Sequence, residues 1–274
     1  MLKRSALRLY AALALSMLMA SPALAQFHPR PLNDPATGEA YHIEASAGFW
    51  NTSSDMSISS ESLGIIGSNI SFKNDLGLES SRFRELRLVL RPATKHKFRF
   101  EIVPIRMSME NYPLTRTIVF NGQAYPISAR VSSQFDWTAY RFAYEYDFLT
   151  RDRWFAGFIV DIKQTDVSAE LEAPAIREFV RARGPLPALG GIGRFYVVPN
   201  ISITGEFTRM PVPEKITEDI HGRYADLNVY GTVNFTNNVG AQAGYRKFDV
   251  GYKFEEDTGT FKLNGLYFGI VARY

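Results

Sequence analysis

Cysteine is absent from all 274 residues of this sequence. The absence excludes disulfides, thiolate metal sites, cysteine nucleophiles and a lipid-modified amino-terminal cysteine. Long apolar runs are also missing after residue 25, because Arg, Glu or Asp interrupts every stretch of about 18 residues that would cross a bilayer as a helix. Only a closed barrel of strands would then satisfy the backbone polar groups inside a membrane. The four His residues are scattered without metal-binding spacing, and no phosphate loop or zinc motif occurs, so no cofactor is expected.

The first residues combine a basic start, a short apolar run and a small-residue cleavage pattern. Three basic residues precede the run, and Ala23-Leu24-Ala25 ends it. These features predict a signal peptide over residues 1–25 rather than an uncleaved anchor, for which the apolar run is too short. Removing three basic residues from 31 leaves 28 Lys and Arg against 28 Asp and Glu. The remaining chain is neutral by formal count, which gives no reason to expect a nucleic acid partner.

Segment 26–39, QFHPRPLNDPATGE, is rich in proline and polar residues. Such a composition predicts a flexible periplasmic lead-in that forms no core of its own. No linker or internal repeat divides the chain after it. Residues 40–274 are therefore predicted to form a single domain, whose length suits one large all-β fold.

Alternation of apolar and polar residues predicts ten antiparallel strands in this domain. Four short turns lie at one end and mostly longer loops at the other, which is typical of a transmembrane up-and-down β-barrel. Eight or twelve strands remain possible because each strand's signal is weak, and segment 60–81 is either a rim extension or an extra hairpin. The predicted strands cover 40–59, 82–90, 96–109, 128–148, 154–171, 186–197, 201–210, 223–235, 239–254 and 259–274, with longer loops at 110–127, 172–185 and 211–222.

Aromatic residues beside the short turns separate a membrane barrel from a soluble β-sandwich. Both folds alternate, but an aromatic girdle belongs where a barrel meets the membrane interface. A soluble periplasmic lipid-binding barrel would also need a polar outer face, which strands such as 223–235 lack. The girdle residues are Phe98, Tyr146, Phe148, Trp154, Phe235 and Tyr274.

The last predicted strand reads LNGLYFGIVARY and has one wholly apolar face. The residues on that face are Leu266, Phe268, Ile270, Ala272 and Tyr274. The pattern resembles the carboxy-terminal signal of Gram-negative outer-membrane barrels, which barrel-assembly machinery reads in that family. The stretches NDLGLESSRF, KHKFRFE and YGTVNFTNNVGAQAGYR also resemble uncharacterised bacterial outer-membrane β-barrel proteins. The resemblance implies a bacterial outer-membrane location, with membrane lipid and the assembly machinery as partners, but no particular activity.

Charged residues recur at lumen-facing positions on nearly every predicted strand. Ten strands enclose an interior little wider than side chains can fill, and an isolated buried charge is costly. We therefore interpret the charges as a paired network that holds the barrel together, with a narrow passage for a small solute as the alternative. The set contains Glu44, Glu85, Arg87, Arg99, Glu101, Arg141, Glu145, Asp161, Lys163, Arg194, Glu206, Asp226 and Arg246.

The alternative hypothesis is an outer-membrane hydrolase with its site at the extracellular rim. Asp219 and His221 resemble the Asp-x-His pair of omptins, which are ten-stranded outer-membrane proteases. Omptins also need an acidic pair on an earlier loop, where this sequence offers Glu110 alone. Ser202 and His221, the nearest candidates for a Ser-His pair, are predicted at opposite ends of the barrel. Because neither catalytic set is complete, the sequence predicts a monomeric, porin-like small barrel without enzyme activity, serving membrane integrity, surface interaction or restricted solute passage.

Overall fold

The structure is a computed structural model of an all-β chain. No helix in the part of the chain that it describes is long and apolar enough to cross a membrane. The predicted signal peptide and the first residues of the lead-in lie outside the described part. That part comprises residues 34–59, 67–79, 82–210, 220–254 and 257–274.

The described residues form thirteen strands and one short helix. The strands are β1 (Ile43–Ser59), β2 (Ile70–Ser71), β3 (Arg82–Ala93), β4 (His96–Pro113), β5 (Ile118–Phe120), β6 (Gln123–Tyr125), β7 (Arg130–Arg151), β8 (Trp154–Ala173), β9 (Ile176–Val198), β10 (Ile201–Arg209), β11 (Ile220–Asn234), β12 (Val239–Phe254) and β13 (Asp257–Arg273). The helix is α1 (Phe72–Leu76).

Ten of these strands, all except β2, β5 and β6, form a closed antiparallel barrel. Each barrel strand pairs with its neighbours in sequence, and β13 pairs back onto β1. This closing register runs from Glu44 opposite Arg273 to Ser59 opposite Thr258. Closure pairs the first and last strands of the sheet with each other, and such closure is the condition for β-structure to cross lipid. The prediction of ten strands is confirmed.

The outer wall of the barrel is apolar, as the alternation predicted. On β13, Leu266, Phe268, Ile270 and Tyr274 all point outward, and Ile270 is 67% exposed. Exposed Phe98, Phe148, Trp154 and Phe235 lie beside the short turns, while Tyr146 is half-buried against Phe158. An apolar band with aromatic residues at one border is what a barrel presents to a membrane. We call the end that carries these turns the turn end, and the opposite end the loop end.

The prediction of a loop at 172–185 is wrong. Strands β8 and β9 stay paired as far as Ala173 and Ile176, so only two residues turn between them. Cross-strand ion pairs such as Arg181 with Asp166, at 2.7 Å, replace apolar alternation in this extension. The extension also contains Pro185, which is tolerated because β10 has already ended and β9 is an edge strand at that height.

Two connections at the loop end fold back over the barrel instead of forming open loops. The segment predicted as a rim extension or hairpin contains β2, which pairs with β1, and α1, which is capped by Ser71 and by Gly77 in the left-handed conformation. The predicted loop at 110–127 contains the β5–β6 hairpin. Their buried side chains pack with inward residues of β7 and β13, and Phe72 lies 5.0 Å from Phe135 between ring centroids. We call Phe72, Ile118, Phe120 and Tyr125 the apolar plug.

Candidate functional site: the barrel interior

The thirteen charged residues predicted for the lumen all lie inside the barrel. Twelve are buried, and the side chain of the remaining one, Arg87, is only 9% exposed. Because side chains alternate along each strand, these charges all point into the lumen, some near the turn end and others near the middle of the barrel. Their positions follow from alternation, whereas their pairing follows from the strand order of the closed sheet.

Arg246 is the centre of one cluster. Its guanidinium lies 2.6 Å from Glu101, 2.7 Å from Asp226 and 3.0 Å from Glu85. Glu101 is on β4 and Arg246 is on β12, and these strands are not neighbours in the sheet. The contact therefore crosses the lumen. Arg87 adds a second guanidinium beside Glu85.

Arg141 is the centre of a second cluster. It donates to Asp161 on the adjacent strand at 2.8 Å. It also contacts Glu206 on β10 at 2.5 Å and Glu101 at 3.6 Å. Because Glu101 faces both clusters, Arg141 and Arg246 belong to one continuous network. Lys163 joins it through Asp161 at 3.2 Å.

A third cluster lies nearer the turn end and contains residues that the sequence analysis missed. Glu145 is contacted by Arg99 and, at 2.7 Å, by Lys97, which also contacts Asp147 at 2.8 Å. The side chains of Lys97 and Asp147 point into the barrel, because each lies two residues along its strand from the inward-pointing Arg99 or Glu145. They went unrecognised because they stand beside the turns, where a charged residue is expected to face water. Arg273, likewise missed, pairs with Glu44 at 2.5 Å across the closing strands.

The lead-in is fixed in place where the structure describes it. Glu39 accepts hydrogen bonds from Arg194 at 2.6 Å and from the Tyr196 hydroxyl at 2.7 Å, both inside the barrel. The carbonyl of Thr37 accepts from Asn234 at 2.6 Å. The flexibility of segment 26–39 stays a prediction, and two of its residues, Thr37 and Glu39, have hydrogen-bond partners on the barrel wall. The carboxylate of Glu39 supplies a partner for the buried Arg194, which would otherwise be an unpaired charge.

These interactions lie at three heights in the lumen. The lead-in covers the turn end, the charge network fills the middle, and the apolar plug lies beneath the loop end. The central cavity beside Trp50, Glu101 and Arg246 has a volume of about 20 Å³, which is room for about one water molecule. Within the described ranges, no group of three or more acidic or histidine residues is arranged to hold a metal ion.

The residues of the hydrolase hypothesis are not brought together by the described structure. Asp219 lies outside it, and only the backbone of His221 is described, in β11 opposite Lys253. Glu110 is exposed near the loop end of β4. Ser202 is buried near the turn end of β10, far from the start of β11. The absence of enzyme activity stays a prediction, and the catalytic role of Asp219 and His221 stays the untested alternative.

Comparison with known proteins gives a likeness of fold alone. No family model matches the chain, and no curated protein matches it either. The crystal structure of the outer-membrane protease OmpT from Escherichia coli has a TM-score of 0.57 and 9% identity, covering 89% of this chain and 100% of that one. The attachment protein Ail of Yersinia pestis has a TM-score of 0.37 and 10% identity, covering 83% and 99%. The toluene transporter TbuX of Ralstonia pickettii has a TM-score of 0.39 and 12% identity, covering 88% and 92%.

The class of protein follows from these findings and from the geometry. A closed antiparallel barrel of ten strands, apolar outside and charged inside, is the fold of outer-membrane β-barrel proteins. The resemblance seen in the sequence is confirmed at the level of fold. With 9% identity, the shared fold transfers no activity from OmpT.

Proposed function

We propose that this chain is a monomeric, non-conducting barrel of the bacterial outer membrane that acts through membrane integrity and surface interaction rather than through solute passage. The apolar band and the aromatic residues beside the turns support contact with membrane lipid. The apolar face of β13 supports recognition by the barrel-assembly machinery. The parts of the protein that face away from lipid would then be the lead-in at the turn end and the folded connections at the loop end.

The observation that carries the proposal is the closure of the lumen by paired charges. Salt bridges from Arg246 to Glu101 and from Arg141 to Glu206 join strands that are not adjacent in the sheet. A conducting pore would need these side chains to separate and hydrate. Each separation would leave buried carboxylates without cations, which is strongly unfavourable.

Planar-bilayer recordings of the refolded protein test the closed lumen. The wild type should give no stable open-channel conductance. The double variant Arg141→Ala/Arg246→Ala removes two of the cations that bridge the lumen, so water should enter and ion conductance should appear. Arg106→Ala is the matched control, since Arg106 pairs with Asp136 on the outer surface and its side chain is 81% exposed. A steady conductance in the wild type would contradict the proposal and support restricted passage.

The proposal assigns no catalytic activity to the barrel, and this part needs its own test. Refolded protein would be assayed against peptide and acyl-ester substrates, with Asp219→Asn and His221→Ala as paired variants. We expect no turnover above that of the denatured protein. Turnover that both substitutions abolish would instead establish the hydrolase alternative, even if the lumen is closed.

A further inference from the structure

A second cavity lies at the loop end, outside the charge network. Its volume is about 410 Å³, within the range of roughly 300–1,000 Å³ that is typical of small-molecule sites. Its wall is mainly aliphatic and aromatic, and Arg181 and Arg183 also border it. The apolar side chains that border it belong to Trp137, Val180, Leu186, Val250, Tyr252 and Phe261.

The cavity lies beside the loop-end terminus of strand β10. Strand β10 ends at Arg209, opposite Leu189 of β9, although β9 remains paired with β8 as far as Ile176. Among the described residues, nothing pairs with the other edge of β9 from 176 to 188. The neighbouring long strands thus continue past the end of β10, and the cavity occupies the space between them.

One wall residue has an unused hydrogen-bond donor. Trp137 is 2% exposed, and its indole N–H has no acceptor within the part of the chain that the structure describes. Thr165, by contrast, already donates to the carbonyl of Gly184 at 2.9 Å. A buried N–H without an acceptor is unfavourable, and an oxygen of a bound molecule would satisfy it.

From the cavity and the indole N–H without an acceptor, we infer a binding site for a small amphiphile at the loop end. The ligand has an apolar chain, which is removed from water by the aliphatic and aromatic wall, and an oxygen that accepts from Trp137. Chain burial supplies most of the affinity, and the single polar contact fixes the orientation. This inference goes beyond the proposed function, because a closed lumen neither requires nor excludes such a site.

Gly184 offers a way to fill the cavity without disturbing the fold. It borders the cavity, and a Cβ built there would meet no atom within 4 Å. Gly205 on β10 is the matched control, since a Cβ there also meets nothing within 4 Å but the alternation of β10 turns it outward. Gly184→Leu therefore occupies the proposed site, whereas Gly205→Leu adds the same side chain on the outer wall. Ala182→Phe, which also borders the cavity, is a second filling variant should Gly184→Leu fail to refold.

The experiment titrates refolded protein in detergent with a brominated decanoic acid and follows quenching of tryptophan fluorescence. Wild type and Gly205→Leu should show the same saturable quenching. Gly184→Leu should weaken the apparent affinity by about tenfold or more, which corresponds to about 1.4 kcal/mol. Trp137→Phe should remove the saturable component, and a binding assay with radiolabelled decanoic acid should show weaker binding to this variant.

Two results would overturn the inference. One is saturation of Gly184→Leu and Ala182→Phe at the same concentration as the wild type. The other is quenching that rises without saturation in every variant, since this would show partition into detergent only. Heat-modifiable migration in gel electrophoresis would establish that each variant is folded. Because conductance is not measured in this experiment, its failure would leave the closed lumen unaffected.

Discussion

Each buried charge of the interior depends on a partner from another strand, so single residues carry effects far beyond their own position. Glu101 contacts Arg246 at 2.6 Å and Arg141 at 3.6 Å, and these cations come from opposite directions. Burial removes the water that would otherwise stabilise each ion. The loss of one partner is therefore expected to cost more than the intact pair contributes to stability.

Arg141→Ala tests this dependence. The substitution leaves Asp161 and Glu206 with fewer cations in a dry interior, and we expect the free energy of unfolding to fall by about 3–5 kcal/mol. Urea titrations in detergent or lipid would measure it. In Arg106→Ala, the lost pair with Asp136 is exposed, so the expected change is about 0–1 kcal/mol. Equal changes in the two variants would mean that the interior charges are already hydrated.

For single residues, the sequence predicts which charged side chains lie inside the barrel better than it predicts which of them pair. A strand's parity alone placed Glu145 and Arg246 inside, because side chains alternate regardless of what lies opposite. The contact of Arg246 with Glu101 was beyond prediction, because it depends on which strands face each other across the closed barrel. The contact of Glu39 was not predictable for a different reason, because nothing in a proline-rich segment indicates that the Glu39 carboxylate meets Arg194.

At the scale of whole elements, the barrel strands were predictable and the loop-end connections were not. Strands such as β11 have long alternating patterns that specify both the element and its faces. The β5–β6 hairpin has only three residues in each strand, too few for a periodic pattern to be recognised. The part of β9 before residue 186 carries charges and proline where a membrane-facing strand would be apolar. Its composition is therefore typical of a loop.

Asp75 links two of these connections. Its carboxylate in α1 accepts two hydrogen bonds from Arg116, each of 2.8 Å, and one from the backbone of Ser71. The bonds with Arg116 lower the pKa of Asp75. A carboxyl group with a lowered pKa stabilises the fold above its unfolded pKa of about 3.9, and this contribution is lost as the pH falls through the folded pKa.

Asp75→Asn should therefore destabilise the loop-end cover at pH 7 but have little effect in acid. Because the side chain of Arg116 is 46% exposed, the expected cost at pH 7 is only about 0.5–1 kcal/mol. Hydrogen exchange of the amides of Leu78 and Val119 would report the change locally. Asp55→Asn, at an exposed position of β1, is the control and should leave the exchange of these amides unchanged both in acid and at pH 7. An equal loss in acid and at pH 7 would disprove the role of the ion pair.

For the molecule as a whole, the closing pair of strands decides whether a barrel exists. The carbonyl of Tyr274 accepts hydrogen bonds from the backbone N–H groups of His42 and Ile43, and the N–H of Tyr274 donates to Ile43. The side chain of Tyr274 is 85% exposed on the outer wall. Backbone bonding and side-chain exposure thus leave the aromatic ring available to lipid and to other proteins.

Tyr274→Asp should block assembly in cells. It places a charge on the apolar face of β13 at the membrane border and removes the terminal aromatic of the predicted assembly signal. The measurement is the amount of heat-modifiable barrel in the outer-membrane fraction, which we expect to fall severalfold or more. Phe148→Asp is the matched control, since Phe148 is also aromatic, outward-facing and close to the turn end but lies on β7. If both variants accumulate to wild-type levels, β13 is not read as a signal.

The pairing of β1 with β13 also sets a kinetic problem for the chain. The buried contact between Arg273 and Glu44 joins residues 229 positions apart. The edge of β1 that pairs with β13 therefore stays without hydrogen-bond partners until nearly the whole barrel has formed. Contacts of such high sequence separation form slowly, and an unpaired edge in the meantime invites pairing with other chains. The loop-end half of β1, NTSSDMSIS, is polar at most positions and carries Asp55, features that oppose such mispairing. The composition of β1 thus suits a strand that has to avoid aggregation until it pairs with β13.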